Sequence, residues 1–262
     1  MDFGPLGRKD DRTRNRRSHL PGNGSQGAKK NELKPWLTKR WCIPPKADAA
    51  FVAAMEDVLE VYARPLDPRR PVVCLDEFAK QLVDHHTVPL PSRPGSVSKE
   101  DYEYVRRGSV TAFMLYAPME GWRDIYTGPT GQRTALDYAQ VLKMLAEEVY
   151  PEAEKIILVQ DNLDTHFPSS LYKAFPPDQA RSLVECFEWH YTPKHGSWLN
   201  IAENEIGVFT RTVLKERVGS IEEFLRQIKP GCDRRNELKA KVNWQFKPED
   251  ARTKMQSSYP SL

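Results

Sequence analysis

The chain has 262 residues, 39% of them hydrophobic and 26 of them aromatic, which is enough to bury one sizeable core and excludes disorder throughout. Its formal net charge of +3 hides an asymmetry, because residues 1–50 carry 12 Lys and Arg against 5 Asp and Glu while the remainder is mildly acidic. Four cysteines without CxxC spacing argue against a disulfide framework or zinc ribbon and for a reducing cytosol, and neither a membrane-length apolar run nor a signal peptide is present.

Residues 1–29 are rich in Arg, Gly and Asn without periodicity, and read as a disordered basic tail whose Arg12, Arg14, Arg16 and Arg17 would meet phosphates. Residues 30–70 read as a connector followed by a helix. In that helix Phe51, Met55, Leu59 and Tyr62 share one face over residues 47–63. A core strand is expected at VVCLDE (72–77), then a polar, Pro-rich, basic stretch over 84–108, either a loop facing DNA or an exposed connector. Strands at 109–118 and 122–128 flank a tight turn at Met119-Glu120-Gly121, forming a hairpin. A helix follows over 133–151, with Leu136, Val141, Leu142 and Leu145 inward. KIILVQD (155–161) reads as a central strand buried on both faces. One or two short helices broken at Pro176-Pro177, a strand at 186–191 and helices over 198–213 and 220–228 complete the order. The stretch IKPGCDRRNE (228–237) reads as an interruption of that last helix.

Three acidic residues stand out against this frame. Asp76 and Asp161 each end an apolar strand, and Glu203 lies in the first turns of a helix beginning near Trp198. Carboxylates and water are what Mg²⁺ prefers, and a pair of ions clamps both the attacking and the leaving oxygen of a phosphodiester. Since consecutive strand residues point to opposite faces, only one of Asp76 and Glu77 can face such ions. Taken singly, each carboxylate is weak evidence, since strand-end aspartates are common turn and cap residues.

The stretches WCIPP, PVVCLDE, KIILVQDNLDTH, YTPKHGSWLNIAENEIGVFTR and AKVNWQF together resemble the bacterial insertion-sequence transposases of the Tc/mariner superfamily, which are DDE enzymes. The resemblance runs from about Lys30 to Leu262. It implies an α/β ribonuclease-H-like core with a mixed five-stranded sheet flanked by helices, a catalytic domain over 71–215 and a C-terminal helical extension over 216–262. It implies that Asp76, Asp161 and Glu203 are the catalytic metal ligands, holding Mg²⁺ or Mn²⁺ as two ions, and it selects Asp76 over its neighbour. Glu77, Asn162 and His166 then fall around them. Asn162 would hold a metal-bound water or orient Asp161, and His166 would approach a phosphate or cap the next helix. Lys194 and His195 are expected on the DNA backbone, with Ser197 capping the following helix and Gly196 as a flexible link.

The implied activity is metal-dependent cleavage and strand transfer at insertion-sequence ends, by a homodimer acting on transposon-end and target DNA in a bacterial cytoplasm at the nucleoid. Two other readings remain open: a decayed remnant that binds DNA or a sister transposase without cutting, and a cellular ribonuclease-H-type hydrolase. The remnant reading draws on the lack of helix-turn-helix spacing in residues 1–29, which also suggests an N-terminally incomplete chain. It draws further on Phe78-Ala79, where a Lys-Pro-like pair is usual, and on the 228–237 interruption.

Overall fold

The computed structural model describes residues 48–260. The expectations for the basic tail, its four arginines and Cys42 therefore lie outside the described residues.

Helix α1 (Ala49–Ala63) starts where the Asp48 carboxylate accepts the Ala50 and Phe51 amides at 2.9 and 3.2 Å. The apolar face predicted for it is buried: Phe51, Met55, Leu59 and Tyr62, joined by Val58 and Val61. Strands β1 (Val72–His85), β2 (Tyr104–Ala117) and β3 (Trp122–Tyr126) form an antiparallel meander. Next come α2 (Ala135–Met144), extended by a π-helical turn over Leu145–Val149, and β4 (Ile156–Gln160). Helices α3 (Ser169–Ala174) and α4 (Pro177–Glu185) precede β5 (Phe187–Tyr191). The chain ends with α5 (Ile201–Thr212), α6 (Ile221–Glu237) and α7 (Pro248–Lys254). The sheet order is β3-β2-β1-β4-β5, with β1, β4 and β5 parallel and the hairpin side antiparallel, so it is the mixed five-stranded sheet expected.

Every residue of β4 is buried, because helices cover both faces of the sheet. On one face Val72, Cys74, Ile157 and Val159 pack with α1, α5, α6 and α7; on the other Val73, Leu75 and Leu158 pack with α2, α3 and α4. Among the described residues no helix is long and apolar enough to cross a membrane.

Four sequence expectations need correction. The first strand runs eight residues past Glu77 and the second begins five before Ser109, so a two-stranded arm takes both ends of the expected loop, at 84–85 and 104–108. Weakly patterned FAKQLVDH becomes strand because the ladder is long and because the arm is tied sideways. Val83 N–H donates to Val218 O at 2.7 Å, and Lys80 Nζ donates to the Leu214 carbonyl at 2.7 Å. Leu136 is 49% exposed, since Asp137 takes the buried position and closes a capping box with Thr134.

Helix α6 runs unbroken through Pro230 to Glu237. Proline removes one internal bond there, but tertiary packing holds the helix. A Cβ on Gly231 would come within 2.9 Å of Val213 Cγ2, so glycine permits close approach to α5, and Cys232 is buried beneath. Finally, Ser197 does not cap α5: it opens a 3₁₀ turn (Ser197–Leu199), and Asn200 is the cap.

Beneath α5 and α6 lies a buried ion cluster absent from the sequence reading. Arg123, fully buried, lies 3.0 Å from Glu205 Oε1 in an ion pair off hydrogen-bond geometry. Arg235 grips the same carboxylate through two nitrogens, at 2.5 and 2.8 Å. The Arg123 guanidinium also donates to Gly121 O and Asn236 Oδ1 and lies 4.9 Å from the Tyr116 ring centroid.

Candidate active site

The parallel register pairs Cys74 with Val159, where the ladder stops; Asp76 lies two residues further along β1, and Asp161 directly follows β4. By the two-residue period of a strand Asp76 faces the side on which Cys74, Val159 and α5 pack, and Asp161 stands near it at the carboxyl end of β4. That edge of a parallel sheet is where α/β proteins place ligands. Helix α5 is suspended over it by Asn200. Its Nδ2 donates to Leu75 O at 2.8 Å, next to Asp76, and its Oδ1 accepts the Ala202 amide at 3.1 Å. One buried side chain thereby caps the helix and pins its N-terminus to β1. The Tyr62 hydroxyl secures the same junction by donating to Leu199 O at 2.7 Å.

Two glutamates compete in Ala202-Glu203-Asn204-Glu205, and burial separates them. Glu205 is 3% exposed and committed to Arg123 and Arg235, whereas Glu203 stands exposed on the first turn of α5. Burial, together with the nearby charges of Glu203 and Asp161, pushes the Asp76 carboxyl up to about 7. Three carboxylates close enough to repel, all oxygen donors, suit a hard divalent cation. Among the described residues their ligand atoms do not all lie within 4.8 Å of one another; that spacing is met by His86, Asp101 and Glu103 on the arm.

Glu77 points to the opposite face, with its side chain 8% exposed, and His166 Nε2 lies 3.0 Å from its Oε1. His166 is buried and its Nδ1 lies 2.5 Å from Asp161 Oδ1. Burial alone would lower the imidazolium pKa, but the two carboxylates outweigh it and raise it to about 9. Burial would raise Asp161, yet the His166 hydrogen bond and charge hold it below the usual carboxylate range.

Asn162 turns away from this group, its Nδ2 donating to Thr192 O at 2.9 Å, so it ties the end of β4 to the chain leaving β5. Lys194 and His195 are both exposed on the loop after β5. His195 has φ +65°, in the left-handed region uncommon for a non-glycine residue. Gly196 is a close-packing position, since a Cβ there would lie 2.5 Å from Pro193 Cγ. Trp198 packs edge-on against Phe246 as part of the core.

Sequence reasoning missed Gln160, Tyr138, Tyr191 and Asn200. Gln160 donates to the His166 carbonyl at 2.8 Å and accepts from the Tyr138 hydroxyl at 2.8 Å; Tyr191 donates to the same carbonyl at 3.1 Å. A glutamine closing the apolar run IILV was the available signal, because an amide buried in a strand needs partners.

Residues 71–225 match the DDE superfamily endonuclease domain. The chain belongs to that family. No curated protein matches it in sequence. The Mos1 strand transfer complex has a transposase of similar fold, with TM-score 0.57 and 15% identity over 100% of this chain and 82% of that one. The Mos1 transposase paired-end complex with left transposon end gives 0.56 at 16% identity over 98% and 83%. The Mos1 mariner paired end complex with Mn gives 0.50 at 15% identity over 91% and 77%. At such identities the likeness is one of fold.

The charge crowding in this DDE endonuclease has a measurable consequence. Folded Asp76 keeps its proton up to about 7, against 3.8 for the free side chain, so the folded state binds more protons across that window and stability falls as pH rises through it. Asp76→Asn removes the loss. Urea unfolding without divalent ions is expected to show the variant about 2 kcal/mol more stable at pH 8, roughly half the full shift because the site is partly wet, and equal near pH 4. Equal stability at both pH values would mean that Asp76 is not destabilised by its neighbours.

Proposed function

We propose that the chain is a Tc/mariner-type DDE transposase of a bacterial insertion sequence, with Asp76, Asp161 and Glu203 holding two Mg²⁺ or Mn²⁺ ions. The observation that carries this reading is the approach of Asp76 on β1 to Asp161 at the end of β4 and to Glu203, on a helix that Asn200 hangs from the strand residue next to Asp76. When bound, the ions supply positive charge to the developing oxyanion and a more acidic nucleophile.

The chain's own residues do the rest. Asp76 lies near both Glu203 and Asp161, and these three carboxylates would hold the ions. Lys194 and His195, exposed on the loop beyond β5, meet the DNA backbone, and the charges of Arg12, Arg14, Arg16 and Arg17 in the sequence add affinity for phosphates. No side chain is required as a covalent nucleophile. The Mos1 complexes contain paired transposon ends, and by analogy this chain acts as a homodimer on transposon-end and target DNA at the nucleoid.

A nicking assay tests the reading. Purified protein is expected to cut double-stranded DNA in Mg²⁺ or Mn²⁺ and to stop when EDTA is added. Binding without cutting would support the decayed remnant, and preference for an RNA–DNA hybrid would support a ribonuclease-H-type hydrolase.

A further inference from the structure

Three side chains from separate parts of the chain meet under the candidate site. Glu77 sits on the far face of β1 and His166 in the loop after β4, while Asp161 is the first residue beyond β4. His166 is wedged between the two carboxylates, at 3.0 Å from Glu77 and 2.5 Å from Asp161. Carboxylates accept only, so both ring nitrogens donate and the ring cannot turn without losing a bond. It is fixed on its other sides as well. The Tyr138 ring stacks on it at 4.8 Å and 30°, and its backbone carbonyl takes bonds from Gln160 and Tyr191. At Asp161, His166 and the Leu163 amide both fall on Oδ1, so Oδ2 carries no bond among the described residues.

We propose that His166, braced by Glu77, is a positioning residue that fixes the Asp161 carboxylate by holding Oδ1 and leaving Oδ2 for a divalent ion. This rests on the metal-site reading given above. Glu77 lies on the face of β1 opposite Asp76 and holds the ring nitrogen remote from Asp161, so its effect on the orientation of the Asp161 carboxylate passes through the imidazole. Outer partners of this kind orient a ligand, and their loss lowers metal affinity even though they never touch the metal.

The test is Mn²⁺ binding, followed by titration calorimetry on folded full-length protein at a temperature well below each variant's unfolding midpoint. His166→Asn keeps a donor near Nδ1 and is expected to bind Mn²⁺ within about 3-fold of wild type, whereas His166→Gln, which keeps only a donor near Nε2, is expected to lose ~10-fold or more. Glu77→Gln still accepts from Nε2 and should bind as wild type does, while Glu77→Leu should lose ~10-fold. Adding Glu77→Leu to His166→Gln should cost little more, because both act through one contact.

A role in packing alone would lower unfolding midpoints but leave Mn²⁺ affinity in the folded protein unchanged across the series, and that result overturns the proposal. So does His166→Asn binding as weakly as His166→Gln. If wild type binds no Mn²⁺, or Asp161→Ala binds it as tightly as wild type, the metal-site reading fails and the positioning role with it. Failure of His166 variants beside a sensitive Asp161→Ala would sink the positioning role only.

Discussion

Arg123→Met is expected to cost about 3 kcal/mol of unfolding free energy, the lower end of what breaking a buried ion pair costs. The guanidinium is wholly buried beside a Glu205 that is 3% exposed. Removing it deletes one of that carboxylate's two cations and strips the donors to Gly121 and Asn236. Arg235 still holds Glu205 through two nitrogens, which keeps the cost from the upper end of the range. Glu205→Met alone should be at least as damaging, since it leaves the buried Arg123 with no anion. The double variant Arg123→Met/Glu205→Met should recover part of the loss, because two methionines need no desolvated partner. Urea midpoints with a common slope would measure all three. A loss under 1 kcal/mol in Arg123→Met would show that the cluster is incidental to the stability of α5 and α6.

That cluster also marks where the sequence stops being readable. Periodicity and strand-ending acids were enough to place β1, β4, β5 and the helices between them, because burial on both faces leaves IILVQ no choice but apolar residues. The nearness of Asp76 to Asp161 follows from the parallel pairing of β1 with β4 and was implied by the resemblance. Residues that act through long-range bonds left no local trace. Nothing local in WRDIYTG marks Arg123 as buried, and its meeting with Glu205, 82 positions later, makes it core. Asn200 looks like part of a motif until its amide is seen to bond Leu75 O, across 125 residues.

Helix α6 shows the opposite failure. Local propensity at Lys229-Pro230-Gly231 argued for a break, and packing against α5 overrode it. The arm fails for a related reason: pairing between residues 78–85 and 104–112 is set by its partner strand and by the 214–218 segment, neither of which shows in the pattern of FAKQLVDH. The unexpected continuity of α6 also removes one ground on which the chain could be read as decayed.

Asp76→Ala, Asp161→Ala and Glu203→Ala are each expected to lower Mg²⁺-dependent DNA cleavage by about a thousand-fold or more, because losing a ligand from a two-ion site removes several kcal/mol of stabilisation from the transition state. The outcome is informative only if it separates chemistry from folding, and the site's electrostatics allow that. Asp76 is held protonated up to about 7 by burial and by its acidic neighbours, so neutralising it should stabilise the ion-free protein while destroying activity. A structural residue would lose both together. Asp164→Asn is the matched control: Asp164 is exposed, three residues after Asp161 in the same loop, and its replacement should leave the cleavage rate within about 2-fold of wild type, the range of an ordinary surface change. Glu203→Ala carries the most weight. Glu205 lies on the same helix but is committed to Arg123 and Arg235, so no second carboxylate can take over at that end of the site. Single-turnover nicking of a supercoiled plasmid gives the rates, and circular dichroism of each variant confirms the fold. Cleavage at the wild-type rate in any one of the three would remove that residue from the catalytic set; in all three, it would mean that the activity resides elsewhere in the chain.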